Sequence, residues 1–296
     1  MKILVISLAG IGDTLFATPL LHELRANFPA ATIDALVMWP GAKDLLEHNP
    51  HVNRVFQKNL MKCGKLEAAR FLWSLRREGY QLSINTHPQS RIHYRFAAWL
   101  AGAPVRISHE YECFTWLDRW LVTGTLPQDY SRHAAENNLA VLPLIGAQEK
   151  LPAHELELFL TPAEEKWADD FLARAGLTGK KWLGVHVGSG GTKNLRQAAA
   201  LLRRARAFLS VDTALMHVAA AMKVPAQIVI ETPTWNRPIE PFGNPFTLIT
   251  NPAVAGRGLD FYRYDGGDIK GTREELLACM AAVKVADVLA VVKQRF

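Results

Sequence analysis

A short segment with two glycines and a carboxylate follows the first apolar run of the chain. Gly10, Gly12 and Asp13 lie directly after Met1–Ser7, which is too short for the apolar region of a signal peptide and predicts a strand. The glycines match the start of a dinucleotide-binding fingerprint, but Leu15 occupies the third glycine position, so this match is weak. Asp13 has two open interpretations. It caps the following helix, or it acts as a general base, since a free aspartate with a pKa of about 3.9 is ionised at neutral pH.

A second glycine-rich segment lies in the other half of the chain and ends in a lysine. Backbone N–H groups of glycines approach phosphate oxygens closely, and a lysine adds a positive charge. The spacing is not that of a P-loop, and a flexible turn with a solvated lysine remains the alternative. The candidate phosphate-binding residues are Gly188, Ser189, Gly190, Thr192 and Lys193.

A third segment places Asp212 and Thr213 directly before an apolar helical run that contains His217. Asp212 is a candidate helix cap and His217 a candidate core residue. Alternatively, the N-terminus of this helix binds a diphosphate through its free N–H groups and its dipole. A strand followed by Asp-Thr and a helix thus occurs in both halves of the chain.

Apolar runs alternate with helical patterns along the chain, which predicts an α/β fold with parallel sheets. The segment 148–162, with its prolines and alternating charges, predicts a linker. We therefore expect two doubly wound lobes, residues 1–155 and 156–296, with the cleft between them as the default ligand site. Within the first lobe, the pattern predicts one helix over 14–28 and no clear period over 111–130.

The second lobe has only three clear strands and a weak candidate at Thr247–Thr250, whereas five are evident in the first. A single helix separates the strand ending at Val187 from the strand at Phe208. We therefore expect one or two βα units to be missing between Asn194 and Leu195, as an unresolved segment or a true deletion.

Composition narrows the class of protein. The 296 residues are 49% hydrophobic and 21% charged, which is globular, and no run of about 18 residues lacks a charge, so no membrane span is expected. The three cysteines lie far apart, which argues against disulfides or a cysteine metal site and favours a reduced, cytosolic protein. The net charge of +6 favours attraction to polyanions, and a basic protein without a polyanionic partner is the alternative. No nucleic-acid-binding signature accompanies the charge.

The three segments, in this order, resemble glycosyltransferase family 9, the ADP-heptose:lipopolysaccharide heptosyltransferases. The motifs that carry the resemblance are ILVISLAGIGDTLFATP, HAAENNLAVLPLIGA, GVHVGSGGTKN and RRARAFLSVDTALMHVAAAMKVP. The resemblance implies a GT-B fold, with two Rossmann-like lobes facing a central cleft. It also implies inverting transfer of a heptose from ADP-heptose to a lipopolysaccharide inner-core acceptor, at the cytoplasmic face of the inner membrane.

The resemblance also assigns roles to residues. Asp13 matches the family's proposed catalytic base, and Asp212, Thr213 and His217 match its donor-binding loop and helix. Thr192 and Lys193 match residues near the donor phosphates. Gly10, Gly12, Arg91 and Arg95 are candidates for binding the anionic acceptor. No metal or other cofactor is expected, because positive groups already face the diphosphate. Transfer to another sugar or to protein, or a silent nucleotide-binding protein, remains an alternative.

Overall fold

A computed structural model describes residues 1–186, 188, 194–254 and 272–296. The chain folds into two compact units, of which the first comprises Met1–His154 and the second begins at Glu155. Each unit contains a parallel β-sheet with helices, which confirms the α/β class. Among the described residues, no helix is long and apolar enough to cross a membrane.

The first unit is built on a sheet of six parallel strands in the order β3-β2-β1-β4-β5-β6. This is the Rossmann order, in which the direction of winding reverses between β1 and β4. Ligands of such sheets bind outside the carboxyl ends of the strands at this reversal. The strands are β1 Lys2–Ser7, β2 Thr32–Val37, β3 Arg54–Gln57, β4 Leu82–Asn85, β5 Val105–Glu110 and β6 Gly124–Pro127.

Six α-helices connect these strands and a seventh follows β6, while a 3₁₀ helix at Leu75–Glu78 follows the fourth helix. The helices are α1 Ile11–Leu15, α2 Thr18–Asn27, α3 Pro40–Leu46, α4 Lys65–Ser74, α5 Ile92–Ala101, α6 Trp116–Leu121 and α7 Ala134–Leu139. The region 111–130, for which the sequence showed no clear period, thus contains α6 and β6. Both elements are too short for a periodicity to stand out.

The single helix predicted over 14–28 is wrong, because α1 and α2 are separate helices. Pro19 lies in the first turn of α2 and has no N–H to donate to the Leu15 carbonyl. The Thr18 hydroxyl donates to that carbonyl instead, at 2.7 Å. The break shortens α1 to a little more than one turn, and this turn holds Asp13.

Alternate residues of β1 pack on opposite faces of the sheet. Ile3 and Val5 belong to one apolar cluster, and Leu4 and Ile6 belong to the other. All four are essentially inaccessible to solvent, and burying each stabilises the fold by roughly 1.5–3 kcal/mol. This two-sided burial fixes the strand whose carboxyl end carries the first glycine segment.

Asp34 is the third residue of β2 and is fully buried. Its carboxylate accepts a hydrogen bond from the Tyr80 hydroxyl at 2.7 Å and pairs with Arg54 at 2.7 Å. An acidic ribose ligand would lie at the carboxyl end of this strand. Asp34 is instead part of the core, which agrees with the weak dinucleotide fingerprint.

The described part of the second unit contains four parallel strands in the order β10-β9-β8-β7. The strand at Phe246–Ile249 confirms the weak candidate, whereas the helix at Arg273–Met280 has no counterpart in the sequence-based prediction. The elements are α8 Pro162–Arg174, β7 Leu183–His186, α9 Leu195–Leu202, β8 Ala207–Ser210, α10 Ala214–Ala221, β9 Ala226–Ile230, β10 Phe246–Ile249, α11 Arg273–Met280 and α12 Val285–Arg295.

The chain passes directly from Asn194 into α9. The Asn194 side chain accepts the N–H of Gln197 at 3.0 Å and so caps the helix, which begins at Leu195. The omission of one or two βα units at this junction, as an unresolved segment or a true deletion, stays a prediction.

Candidate active site

The glycine segment after β1 forms a tight turn around the Asp13 carboxylate. The N–H of Gly10, the residue before α1, donates to Asp13 Oδ2 at 2.6 Å. A Cβ atom at position 10 would lie 2.8 Å from this oxygen, so only glycine allows the contact. The Trp39 indole N–H donates to the Ala9 carbonyl at 2.6 Å and anchors the turn. Asp13 thus satisfies a backbone donor at the start of α1, as its capping interpretation requires, and Gly12 lies beside it in the same turn.

Burial also makes the Asp13 carboxylate a stronger base than that of a free aspartate. Desolvation of the half-buried side chain raises its pKa from 3.8 to about 6, while the Gly10 N–H acts in the opposite direction. The Asp13 carboxylate is therefore mostly ionised at neutral pH and binds a proton more tightly than a free aspartate does. Burial raises the pKa values of the half-buried Tyr94 and the buried Tyr111, and the charge of Asp13 adds a smaller contribution in the same direction.

A second segment, Thr86–Ser90, follows β4 and is fastened to the first by Gln89. The Gln89 side-chain amide donates to the Ile6 and Thr86 carbonyls, and its oxygen accepts the Leu8 N–H at 3.4 Å. The backbone N–H of Gln89 donates to the Tyr111 hydroxyl at 2.7 Å. The two segments that flank the reversal between β1 and β4 therefore form one bonded unit. No motif in the sequence singles out Gln89, although its position after a strand is the available signal.

The two arginines proposed for acceptor binding have different environments. Arg95 is 1% exposed, and its guanidinium bonds Asp118 at 2.5 Å and the carbonyls of Gln89 and Ser90 at 3.0 and 2.6 Å. This arrangement corrects its assignment, since Arg95 holds the Thr86–Ser90 segment in place and does not face an acceptor. Arg91 is exposed and lies directly before α5. It remains a candidate acceptor ligand.

Two buried histidines near Tyr111 also escaped sequence analysis. The rings of His87 and Tyr111 stack at 5.7 Å, and those of His87 and His109 meet edge to face at 5.4 Å. Burial lowers the pKa of His87 to about 3 and that of His109 to about 4. Both are therefore neutral at physiological pH. They support Tyr111 and do not compete with Asp13 for a proton in this range.

In the second unit, the carboxyl ends of β7 and β8 lie side by side. The Thr213 hydroxyl and His186 Nδ1 are 3.3 Å apart, which joins the two strand ends. Thr213, and not Asp212, occupies the capping position of α10, and the half-buried Asp212 precedes it. His186 was not among the predicted residues, although its place at the end of an apolar run in GVHVGSGG could have indicated it.

The structure describes only some of the remaining candidate residues. His217 lies one turn into α10 and is 5% exposed, so its ring is in the interior of the second unit. Gly188 lies exposed just beyond β7. The predictions for Ser189, Gly190, Thr192 and Lys193 lie outside the described residues.

Comparison with known proteins agrees with the resemblance seen in the sequence. Residues 185–254 match the model of glycosyltransferase family 9 (heptosyltransferase). This stretch contains the ends of β7 and β8, together with Asp212, Thr213 and His217. The resemblance to glycosyltransferase family 9 is confirmed.

A curated relative in this family is lipopolysaccharide heptosyltransferase 3 of Escherichia coli, which is 30% identical over 142 residues. These residues are 46% of this chain but only 40% of that protein. The chain therefore matches less than half of the length of this relative.

Solved structures of the family share the fold over nearly the whole chain. A glycosyltransferase family 9 protein from Veillonella parvula matches with a TM-score of 0.75 and 17% identity, covering 99% of this chain and 96% of that one. An E. coli heptosyltransferase with ADP-2-deoxy-2-fluoro heptose matches with a TM-score of 0.65 and 18% identity, covering 85% and 94%. The chain thus has the GT-B fold class with two Rossmann-like units.

Proposed function

We propose that this chain is an inverting glycosyltransferase that moves a heptose from ADP-heptose to an inner-core acceptor of lipopolysaccharide. The match to family 9 over residues 185–254 supports the reaction class. The relative that transfers heptose to lipopolysaccharide, and the solved relative with a fluorinated ADP-heptose, support the choice of acceptor and donor.

The observation that carries the mechanism is the half-buried Asp13 carboxylate with its raised pKa at the reversal of the first sheet. In the proposed step, Asp13 takes the proton of an acceptor hydroxyl while the hydroxyl oxygen bonds to the anomeric carbon of the donor. The bond from that carbon to the diphosphate breaks, and ADP leaves with the bonding pair. General-base assistance of this kind is worth roughly 10²–10⁴ in rate.

The second unit would hold the donor. The N-terminus of α10 presents free backbone N–H groups beside Asp212, Thr213 and His186. A diphosphate at this position gains hydrogen bonds and a favourable dipole as its negative charge grows in the transition state. Gly188 and the predicted Lys193 would add to this stabilisation, so that the proposed reaction requires no metal ion.

The positive net charge of the chain supports both the proposed anionic acceptor and the proposed location of the reaction at a membrane surface. Lipid-linked lipopolysaccharide precursors carry phosphates, and the chain has a net charge of +6. Arg91 would pair with an acceptor phosphate or carboxylate, and Gly10 and Gly12 would let the acceptor approach the backbone. We place the enzyme at the cytoplasmic face of the inner membrane, as a peripheral protein.

The decisive experiment incubates the protein with ADP-heptose and a series of truncated lipopolysaccharide acceptors, read by mass spectrometry. One heptose should be added to one acceptor of the series. Asp13→Asn should lose at least about 100-fold in kcat. The matched control is Glu275→Gln, because Glu275 makes the same capping contact with the N–H of Thr272, at 2.7 Å, on an exposed helix. Near-normal turnover by Asp13→Asn would reject Asp13 as the base.

Donor binding is tested separately by calorimetry with ADP. Thr213→Val removes the contact with His186 and should weaken ADP binding by roughly 2- to 10-fold, the range of one hydrogen bond. Thr272→Val, at the cap of α11, is the control and should bind ADP normally. ADP binding without transfer to any acceptor would favour a silent nucleotide-binding protein.

A further inference from the structure

One face of the first unit is lined with exposed aromatic side chains and arginines from α4, the 3₁₀ helix that follows it, α5 and α6. We call it the tryptophan–arginine face and define it by Trp73, Arg76, Phe96, Trp99, Trp116 and Trp120. Trp116 is 80% exposed and Trp120 59% exposed. Side chains of this size are seldom left in water, and a contiguous apolar patch marks a surface that binds something.

Contacts between the rings make this face continuous across the helices. The Arg76 guanidinium lies 4.0 Å from the ring centre of Trp73 and 5.9 Å from that of Trp99. The Trp99 ring in turn lies 5.5 Å from the rings of both Phe96 and Trp120. Arg76 also donates to the Leu100 carbonyl at 2.9 Å, which holds it at the centre of the face. Trp73, Phe96, Trp99 and Trp120 therefore form one platform around Arg76, and the exposed Trp116 lies one turn before Trp120 on α6.

Positive charge surrounds a depression beside the platform. This depression has a volume of about 400 Å³, and Arg70, Trp73, Arg76 and Arg77 contribute to its wall. Both Arg70 and Arg77 are exposed.

The nearby acidic side chains already have basic partners. Glu67 pairs with Lys58, Glu78 pairs with Arg54, and Glu110 lies 3.4 Å from Arg119. The unbalanced charge at the depression is thus positive and suits a phosphate-bearing surface.

We propose that the tryptophan–arginine face docks the chain on an anionic lipid bilayer. Indole rings combine a large apolar body with a polar N–H, which suits the boundary between acyl chains and headgroups. Arginines beside them bind lipid phosphates. A second copy of this chain fits less well, since a two-fold contact would bring the same arginines together.

This inference deepens the membrane part of the proposed function by naming the surface that meets the lipid. Lipid binding needs neither donor nor acceptor, so it can succeed or fail independently of heptose transfer. Transfer to a deacylated, water-soluble acceptor tests the enzyme without the membrane.

The experiment is co-sedimentation of the full chain with vesicles of phosphatidylglycerol and phosphatidylcholine, and with vesicles of phosphatidylcholine alone. The protein should bind the anionic vesicles preferentially. Arg70→Gln/Arg77→Gln should weaken this binding about 30-fold, from roughly 1 kcal/mol per arginine. Trp116→Ala/Trp120→Ala should weaken it roughly tenfold or more. Both variants should keep their melting temperature and their transfer to the deacylated acceptor.

Control variants replace exposed side chains elsewhere. Arg132→Gln/Arg174→Gln removes the same charge, and Phe171→Ala/Leu277→Ala removes exposed apolar area from the second unit. The charge control should weaken binding much less than the double variant of Arg70 and Arg77.

Equal losses in the controls and the face variants, or no binding to anionic vesicles, would overturn the proposal. A wild-type dimer that Trp116→Ala/Trp120→Ala dissociates, without vesicle binding, would assign the face to self-association. If vesicle binding follows the prediction but no acceptor is glycosylated, the proposed function fails while the lipid surface stands.

Discussion

Replacing Asp13 by Asn should inactivate the protein and yet stabilise it at neutral pH. Burial raises the pKa of Asp13 from 3.8 to about 6, so ionising the folded protein costs more than ionising the unfolded chain. The difference of about two units corresponds to at most about 3 kcal/mol. Asn carries no charge, and its amide oxygen can still accept the Gly10 N–H. We therefore expect Asp13→Asn to be more stable than the wild type at pH 7 by about 1–3 kcal/mol.

The sign of this effect fixes its pH dependence. A group whose pKa is raised on folding contributes stability that is complete below its unfolded value, here 3.8, and lost as the pH rises through about 6. The advantage of Asp13→Asn should therefore shrink as the pH falls from about 6 towards 4. Over the same range the wild-type kcat/KM should fall about tenfold per pH unit, because the base becomes protonated.

The assay is native-state hydrogen exchange followed by mass spectrometry on peptides from β1 and β4, which reports the unfolding free energy of the first unit without mixing in the second. Glu275→Gln is the control for losing the same type of capping contact. Removing the side chain of an ordinary helix cap lowers the stability of the protein by roughly 0.5–2 kcal/mol. If Asp13→Asn is destabilised by this amount at pH 7, Asp13 is a structural cap, and the argument from its raised pKa is wrong.

Three further predictions concern buried polar groups of the first unit. Arg95→Met leaves the Asp118 carboxylate buried without its partner and should cost about 3–5 kcal/mol in thermal unfolding, whereas adding Asp118→Asn should restore part of this loss. Glu23 is fully buried in α2, and burial would raise its pKa, but the N–H groups of Leu151 and Lys150 together with His154 lower it overall. The wild type should therefore lose stability as the pH falls below 4.5, and Glu23→Gln should flatten this acid limb in thermal melts. Tyr80→Phe removes the hydroxyl that donates to buried Asp34 and should cost about 1.5–3 kcal/mol in urea unfolding; no change would show that the bond contributes nothing net.

Local patterns in the sequence were sufficient for the strands that carry the site. The run Lys2–Ser7 reads as a buried strand and is one, because its side chains are apolar on both faces. The rule that ligands bind at the carboxyl ends of parallel strands then selects the segments with Asp13 and Asp212. The break between α1 and α2 was also readable in principle, since Pro19 lacks the N–H that a continuous helix needs.

The sequence by itself determined the α/β class, the presence of Gly10 and Gly12 next to Asp13, and the family resemblance. Only the tertiary structure decided what the two arginines of α5 do. Arg91 and Arg95 are one turn apart and chemically identical, but α6 packs against α5 and places Asp118 beside Arg95 alone. The guanidinium of Arg95 is thereby buried in the scaffold, while Arg91, directly before α5, stays exposed. The burial and the pairing of a side chain depend on residues that are distant in sequence. The tertiary structure therefore also decided the pKa of Asp13 and the contact between His186 and Thr213.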